Sequence, residues 1–216
     1  MGPSPESYPI VSKARLEALS DGLYAIALTL LVLELKLPAL SDHPTNDELL
    51  SALTSIAPKA FAWCLSFWVI AQFWLIQQRL FHFVARLNPT MVAIELGSLC
   101  LISLFPFTTA LMGEFGMRVV GAVPYAAHLL AIAVVLLLRF SYFIRHKELH
   151  AAAMSPDHER VMWVRAWVFA ACSAATFFLA FFVPPYNTLA MLPILFLSRL
   201  ARAKVLSVKA ETTNGG

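Results

Sequence analysis

The residues best placed for chemistry are polar side chains at the start of the first apolar stretch: Arg15, Glu17, Ser20 and Asp21. Ionisable side chains are costly inside a bilayer, so such a group is a candidate functional site. The start of an ordinary membrane helix explains the same residues, because acids favour a helix's first turn and basic residues mark the membrane face. These residues alone leave both interpretations open.

Helical geometry gives this stretch two different sides. At 100° per residue, the members of one side lie within about 40° of Ile26: Arg15, Leu19, Gly22, Leu30 and Leu33. Ser20 and Asp21 point away from this side, and Thr29 borders it. Because lipid cannot satisfy polar groups, we expect the polar side to be buried against other helices. The apolar side by itself is typical of helix packing or lipid contact.

Three further polar or helix-breaking residues lie inside apolar stretches. We expect Glu95 to pair with Arg86 or Arg15, and we interpret His128 as a packing histidine with satisfied hydrogen bonds. Pro106 lacks an amide hydrogen and should kink the third stretch.

No catalytic motif is recognisable. The sequence lacks the His-Glu-x-x-His zinc motif, the Gly-x-Ser-x-Gly nucleophile motif and a phosphate-binding glycine loop. Its three cysteines lack the spacing of a zinc site or a disulfide framework. The net charge of +3 is modest, so nucleic acid is not an expected partner. We therefore expect no enzyme activity, no cofactor and no metal site.

The composition predicts an all-α membrane protein. Hydrophobic residues make up 59% of the 216 residues and charged residues 13%, whereas a soluble domain has about a quarter charged residues. The N-terminus lacks the pattern of a cleaved signal peptide, so the first stretch is expected to remain as a span. Six segments are long and apolar enough to cross a bilayer: roughly 16–37, 58–80, 90–112, 119–143, 161–183 and 186–203. Pro184 and Pro185 should end the fifth helix and start the sixth.

The distribution of lysine and arginine predicts the direction of the spans. With the N-terminus inside, 13 of the 16 basic residues are cytoplasmic, and only Lys36, Lys59 and Arg118 lie outside. Such a bias satisfies the positive-inside rule. Both ends are therefore expected in the cytoplasm, with residues 15–204 forming the membrane domain between tails 1–14 and 205–216.

The polar group at the first helix resembles the signature of the transmembrane protein 175 family. That family's hallmark is Arg-x-x-x-Phe-Ser-Asp at the start of its first helix. Arg15, Ser20 and Asp21 match the motif in order, and Leu19 replaces the phenylalanine.

Two later segments extend this resemblance over the first three helices. Residues 73–81 resemble the family's Trp-x-x-His-x-x-x-Phe element, with Trp74 in place and Gln77 at the histidine position. Residues 102–114 resemble the Pro-Phe segment of the family's third helix. The glutamine removes a titratable group, which argues against pH-linked behaviour at that position.

The resemblance implies a potassium-permeable cation channel of the leak type in a prokaryotic cell membrane, with four identical copies around one pore. In the family, first helices line the pore and bulky apolar side chains narrow it. By position, the constriction falls at Ile26, with Leu30 and Leu33 above it, and Thr29 matches a hydroxyl layer that assists potassium selectivity. The implied partners are the lipid bilayer, further copies of the chain and monovalent cations, with potassium as the permeant ion. The implied polar network that holds the pore helix consists of Arg15, Ser20, Asp21, Trp74 and Gln77.

Two other function classes stay open. A secondary transporter would use Asp21, Glu95 or His128 for proton coupling, although the sequence reveals neither an internal repeat nor broken helices. A non-conducting membrane scaffold would carry no ion flux.

Overall fold

The computed structural model describes residues 11–151 and 156–194, and apart from one β-bridge between Val84 and His150 its regular elements there are helical. Short 3-10 segments cover Leu31–Glu34, Lys147–Leu149 and Pro184–Met191. The α-helices in these ranges are α1 Lys13–Leu30, α2 Asn46–Ser55, α3 Ala57–Phe83, α4 Pro89–Ser103, α5 Phe105–Phe115, α6 Val119–Arg145 and α7 Pro156–Leu179.

Five helical segments of the described chain are long and apolar enough to cross a membrane. They correspond to the first five predicted spans, with ends that differ by a few residues. The sixth prediction, 186–203, falls on the 3-10 segment and on helical residues 192–194, and its remainder lies outside the described residues. The five segments are Lys13–Glu34, Ala57–Phe83, Pro89–Phe115, Val119–Arg145 and His158–Leu179.

The end of α7 differs from the prediction. The helix stops at Leu179, ahead of the proline pair. The amides of Phe181 and Phe182 each bond three residues back, to the carbonyls of Phe178 and Leu179 at 3.3 and 3.1 Å. The chain therefore forms a tight turn between the end of α7 and the proline pair. Pro184 is the first residue of the 3-10 segment, a position at which the backbone amide has no partner within the helix, so the missing amide hydrogen of proline costs no hydrogen bond.

The third predicted span consists of two helices, α4 and α5, which meet at Leu104. Pro106 lies in the first turn of α5, where backbone amides have no partner within the helix. The kink expected from Pro106 is therefore present as a break between two helices.

α6 lies at the centre of the bundle, where it packs against α4, α5 and α7, while α1 packs on α3 and α4. The core also holds hydroxyl groups that satisfy one another. The Thr109 hydroxyl donates to Ser66 Oγ at 2.8 Å, and Ser66 lies 3.0 Å from the Tyr125 hydroxyl. Such bonds join helices in a bilayer, where water cannot replace them.

The connection between the first two predicted spans contains α2, a helix that the sequence analysis did not predict. Thr45 Oγ1 accepts from the Glu48 amide at 3.3 Å, and Glu48 Oε2 accepts from the Thr45 amide at 2.9 Å. This reciprocal pair is a capping box. The Thr-x-x-Glu pattern at 45–48 was the signal for it.

The capping box also depends on pH. The bond from the Thr45 backbone amide, supported by the Ser41 hydroxyl, holds the pKa of Glu48 below its ordinary value. Because the folded-state pKa is lowered, this stabilisation is present above the unfolded pKa and is lost as the pH falls through the folded one.

Replacing Thr45 with alanine removes the acceptor for the Glu48 amide, so the amides of α2 should exchange with solvent about fivefold faster at neutral pH. Hydrogen–deuterium exchange with mass spectrometry measures this rate. Thr54→Ala is the matched control, because that hydroxyl only donates to the Ser51 carbonyl in the last turn. Equal exchange in the two variants would contradict the capping role.

Candidate functional site: the two sides of the first helix

α1 turns a row of large apolar side chains away from the rest of the described chain. Ile26 and Leu33 are each 59% exposed, Leu19 is 50% exposed and Leu30 is 42% exposed. The apolar side derived from helical geometry is therefore the side of α1 and its 3-10 extension that a single chain leaves uncovered.

Thr29 lies on the same uncovered side. Its hydroxyl donates within the helix, with the Ile26 carbonyl at 2.9 Å and the Ala25 carbonyl at 3.1 Å. The hydroxyl proton is thus used, while the oxygen keeps lone pairs that can face a cation or water.

The opposite side of α1 is buried against α3 and α4. Leu16, Ser20, Tyr24, Ala27 and Leu31 form this row, and each is at most 2% exposed. The expectation of a buried polar side is confirmed for Ser20. Asp21, the next residue, is exposed to solvent but is hydrogen-bonded, as described below.

Ser20 belongs to a buried network that joins four helices. The Gln77 amide of α3 donates to Ser20 Oγ at 3.2 Å and also to Glu95 Oε1 of α4. Arg139 of α6 donates through Nη1 to Glu95 Oε2 at 2.9 Å and to Gln77 Oε1. None of the four side chains is more than 2% exposed.

The centre of this network is an ion pair between Glu95 and Arg139. Two buried charges are tolerated only when they face each other and their remaining polar atoms are hydrogen-bonded, as Gln77 and Ser20 provide here. The predicted partners of Glu95, Arg86 and Arg15, are wrong. The sequence could not reveal that α4 packs against α6.

Arg139 is the residue that sequence reasoning missed, because it was counted only among the cytoplasmic charges. The sequence did contain a signal that Arg139 is buried and paired. The residue lies inside an apolar helix, ahead of the terminal Arg145, and an arginine at such a depth needs a partner.

A second contact joins α1 to α3 at the exposed edge. Asp21 Oδ1 accepts from Trp74 Nε1 at 2.8 Å and from the Gln78 amide. Trp74 and Gln77, both predicted network members, therefore bind neighbouring residues of α1. Arg15 is exposed, and among the described residues its side chain makes no hydrogen bond or ion pair, so the structure does not bring it into the network.

His128 has the packing role that the sequence predicted. Its Nδ1 lies 2.8 Å from the Thr108 hydroxyl and its Nε2 lies 2.9 Å from the Leu101 carbonyl. Within the described ranges, no three His, Cys, Asp or Glu side chains come together to hold a metal ion.

Comparison with known proteins finds a family that these residues resemble. The family described as the endosomal/lysosomal potassium channel TMEM175 matches residues 15–106. A potassium channel of Chamaesiphon minutus is 40% identical over 126 residues, which are 56% of this chain and 61% of that protein. The endosomal/lysosomal proton channel TMEM175 of Gallus gallus is 33% identical over 113 residues, which are 50% of this chain and 23% of that protein.

The fold extends the likeness beyond the matched helices. The chain spans 61% or less of the length of the first curated relatives it matches. A crystal structure of a lysosomal potassium-selective channel TMEM175 homologue from Chamaesiphon minutus superposes with a TM-score of 0.71 at 27% identity. That superposition covers 88% of this chain and 97% of the other. The resemblance to the transmembrane protein 175 family is thus confirmed, since residues 15–106 match that family and the chain's fold is similar to that of the Chamaesiphon homologue.

Proposed function

We propose that this chain is a potassium-permeable leak channel, in which four copies surround a pore lined by α1. The observation that carries the proposal is the two-sided first helix. Its apolar side is uncovered by its own chain, and its opposite side is held by a buried ion-pair network. The family match over residues 15–106 and the relatives named as potassium channels support the choice of ion.

An apolar helix face would suit lipid as well as a pore. Two features favour the pore. Thr29 places a hydroxyl within the uncovered side, and Gly22 leaves that side open, with nothing within 4 Å of the position a Cβ would take. Lipid contact gives no reason to hold one face of a helix by hydrogen bonds to two other helices, whereas a helix that lines a pore must keep its rotation about its own axis.

The gate in this proposal is hydrophobic. Four copies of Ile26, Leu30 and Leu33 would form rings that exclude water when narrow and conduct when they widen. Potassium binds its water less tightly than sodium does, so it would lose less free energy on partial dehydration there. The Thr29 oxygens would replace part of that water. The expected selectivity is therefore moderate.

The proposed topology has six spans with both ends in the cytoplasm of a prokaryotic cell. Its support is the charge distribution, with 13 of 16 basic residues on one side. In this arrangement the network of Glu95 and Arg139 lies in the cytoplasmic half, and residues 1–14 and 205–216 are cytoplasmic tails. The channel is proposed to need no cofactor and to have no enzymatic step.

The contacts argue against the rival transporter. A proton-coupling residue must exchange protons with water during the cycle. Glu95 is engaged by Arg139, and both ring nitrogens of His128 have partners, so neither is poised for exchange. Asp21 remains exposed, and it serves instead as an acceptor for Trp74.

Reconstituted protein should carry currents in single-channel steps, with a reversal potential that favours potassium when potassium and sodium face each other across the bilayer. Planar-bilayer recording measures both properties. Saturable flux without unitary steps would support the transporter instead, and absence of flux would support the scaffold.

Ile26→Asn should let water occupy the constriction, so conductance should rise several-fold and discrimination between potassium and sodium should fall. Liposome flux assays with each cation give both values. Val32→Asn is the matched control, because Val32 is also exposed but lies outside the Ile26 side. Unchanged flux in Ile26→Asn, or an equal change in Val32→Asn, would place the constriction elsewhere.

Glu95→Gln should leave Arg139 as an uncompensated buried charge and destabilise the protein by about 3–5 kcal/mol. The Tm of the detergent-solubilised protein should fall by about 10 °C. Light scattering or tryptophan fluorescence during heating measures this Tm. Glu17→Gln is the control, because its pairing with Lys13 is partly exposed and 3.7 Å long. The double variant Glu95→Gln/Arg139→Gln should recover part of the loss, and no recovery would contradict the coupling of the two charges.

A further inference from the structure

The short helix α2 joins the first spanning segment to the second, and it packs little against the rest of the described chain. Ala52 is the buried residue of α2, at 5% exposed. The helix contacts α3, to which a single residue, Ile56, connects it. Most of the surface of α2 is therefore left uncovered by its own chain.

α2 has an apolar side and a polar side. At 100° per residue, its apolar side chains and the following Ile56 lie within one arc of about 160°. This apolar arc consists of Leu49, Leu50, Ala52, Leu53 and Ile56. The opposite arc consists of Asp47, Glu48, Ser51, Thr54 and Ser55. Asn46, the first residue of the helix, is the one polar residue on the apolar side, so α2 is amphipathic.

The leucines of α2 face away from the protein. Leu50 is 62% exposed, Leu53 is 55% exposed and Leu49 is 37% exposed. A single exposed leucine needs no explanation, whereas adjacent exposed leucines on one helix form a patch that marks a contact surface. An apolar medium or partner is therefore expected to cover this side of α2.

The position of α2 in the chain identifies the bilayer as that cover. The spanning segment Ala57–Phe83 begins two residues after α2 ends at Ser55, and the preceding spanning segment ends at Glu34. The C-terminal end of α2 is thus held at the membrane boundary. Because ten helical residues are only about 15 Å long, the whole helix stays close to that boundary.

A second copy of the chain fits the leucine patch less well. A stable protein interface buries about 800 Å² on each partner, which three leucine side chains of one short helix are too small to supply. Lipid requires no matching surface. The sequence of α2 contains Asp47 and Glu48 but no lysine or arginine, so burial of the leucines, and not attraction to anionic headgroups, would hold the helix there.

We propose that α2 is an interfacial helix that lies in the plane of the bilayer surface. Leu49, Leu50 and Leu53 enter the upper part of the acyl-chain region, and the arc around Ser51 faces water. Helices of this kind bury their apolar side about 5–10 Å into the boundary between headgroups and acyl chains. The inference does not depend on ion conduction, since it requires only that the chain lies in a bilayer.

The test compares two nitroxide spin labels in phosphatidylcholine vesicles by electron paramagnetic resonance. Serine first replaces the three cysteines, Cys64, Cys100 and Cys172, and one label is then attached at Leu50→Cys or Ser51→Cys. Ser51→Cys is the matched control, because Ser51 is the next residue and is also exposed, but lies in the polar arc. Oxygen concentrates among acyl chains and a nickel chelate stays in water. The ratio of oxygen to nickel accessibility should therefore be several-fold higher at Leu50→Cys.

Two outcomes of the spin-label experiment would overturn the proposal. Equal ratios at the two positions would place both sides of α2 in water. Low accessibility to both reagents at Leu50→Cys, with line broadening from labels on neighbouring copies, would show that a second copy covers the leucines.

A second measurement uses the unmodified chain, so it does not require the cysteine replacements. The protein is reconstituted with a phosphatidylcholine that carries a diazirine near the headgroup end of one acyl chain, then irradiated, digested and analysed by mass spectrometry. Lipid adducts should form on the leucines of α2 as well as on the spanning helices. Adducts confined to the spanning helices would contradict the interfacial position of α2.

Discussion

The buried pair of Glu95 and Arg139 is the interaction on which the rest of the bundle depends. Burying a carboxylate and a guanidinium, each at most 2% exposed, is tolerated only while the two groups remain in contact. Their positions on α4 and α6 therefore fix how those two helices pack. Gln77 and Ser20 complete the hydrogen bonds, so α3 and α1 are held to the same point.

This constraint gives α1 its two functions in the proposal. The side that carries Ser20 cannot turn away without breaking hydrogen bonds that lipid would not replace. The side that carries Ile26 and Leu33 is consequently held toward the outside of the single chain. A helix fixed in this way can present the same residues at a shared axis in every copy, as a hydrophobic gate requires.

Much of this arrangement could be predicted from the sequence, because the relevant signals are local. The apolar stripe around Ile26 followed from helical periodicity, the burial of Ser20 from its place on the opposite side, and the kink at Pro106 from a missing amide hydrogen. The family signature added Trp74 and Gln77. Two local signals were overlooked. The Thr-x-x-Glu capping box predicts α2, and the depth of Arg139 in an apolar helix predicts a buried partner.

The sequence by itself determined that the chain is helical and apolar enough to enter a bilayer, and which side of α1 carries each kind of side chain. Those properties depend on composition and on the geometry of one helix. Only the tertiary structure decided that Glu95 binds Arg139 rather than Arg86 or Arg15. The reason is that such contacts join residues far apart in the chain, and which helices become neighbours depends on the packing of the whole bundle.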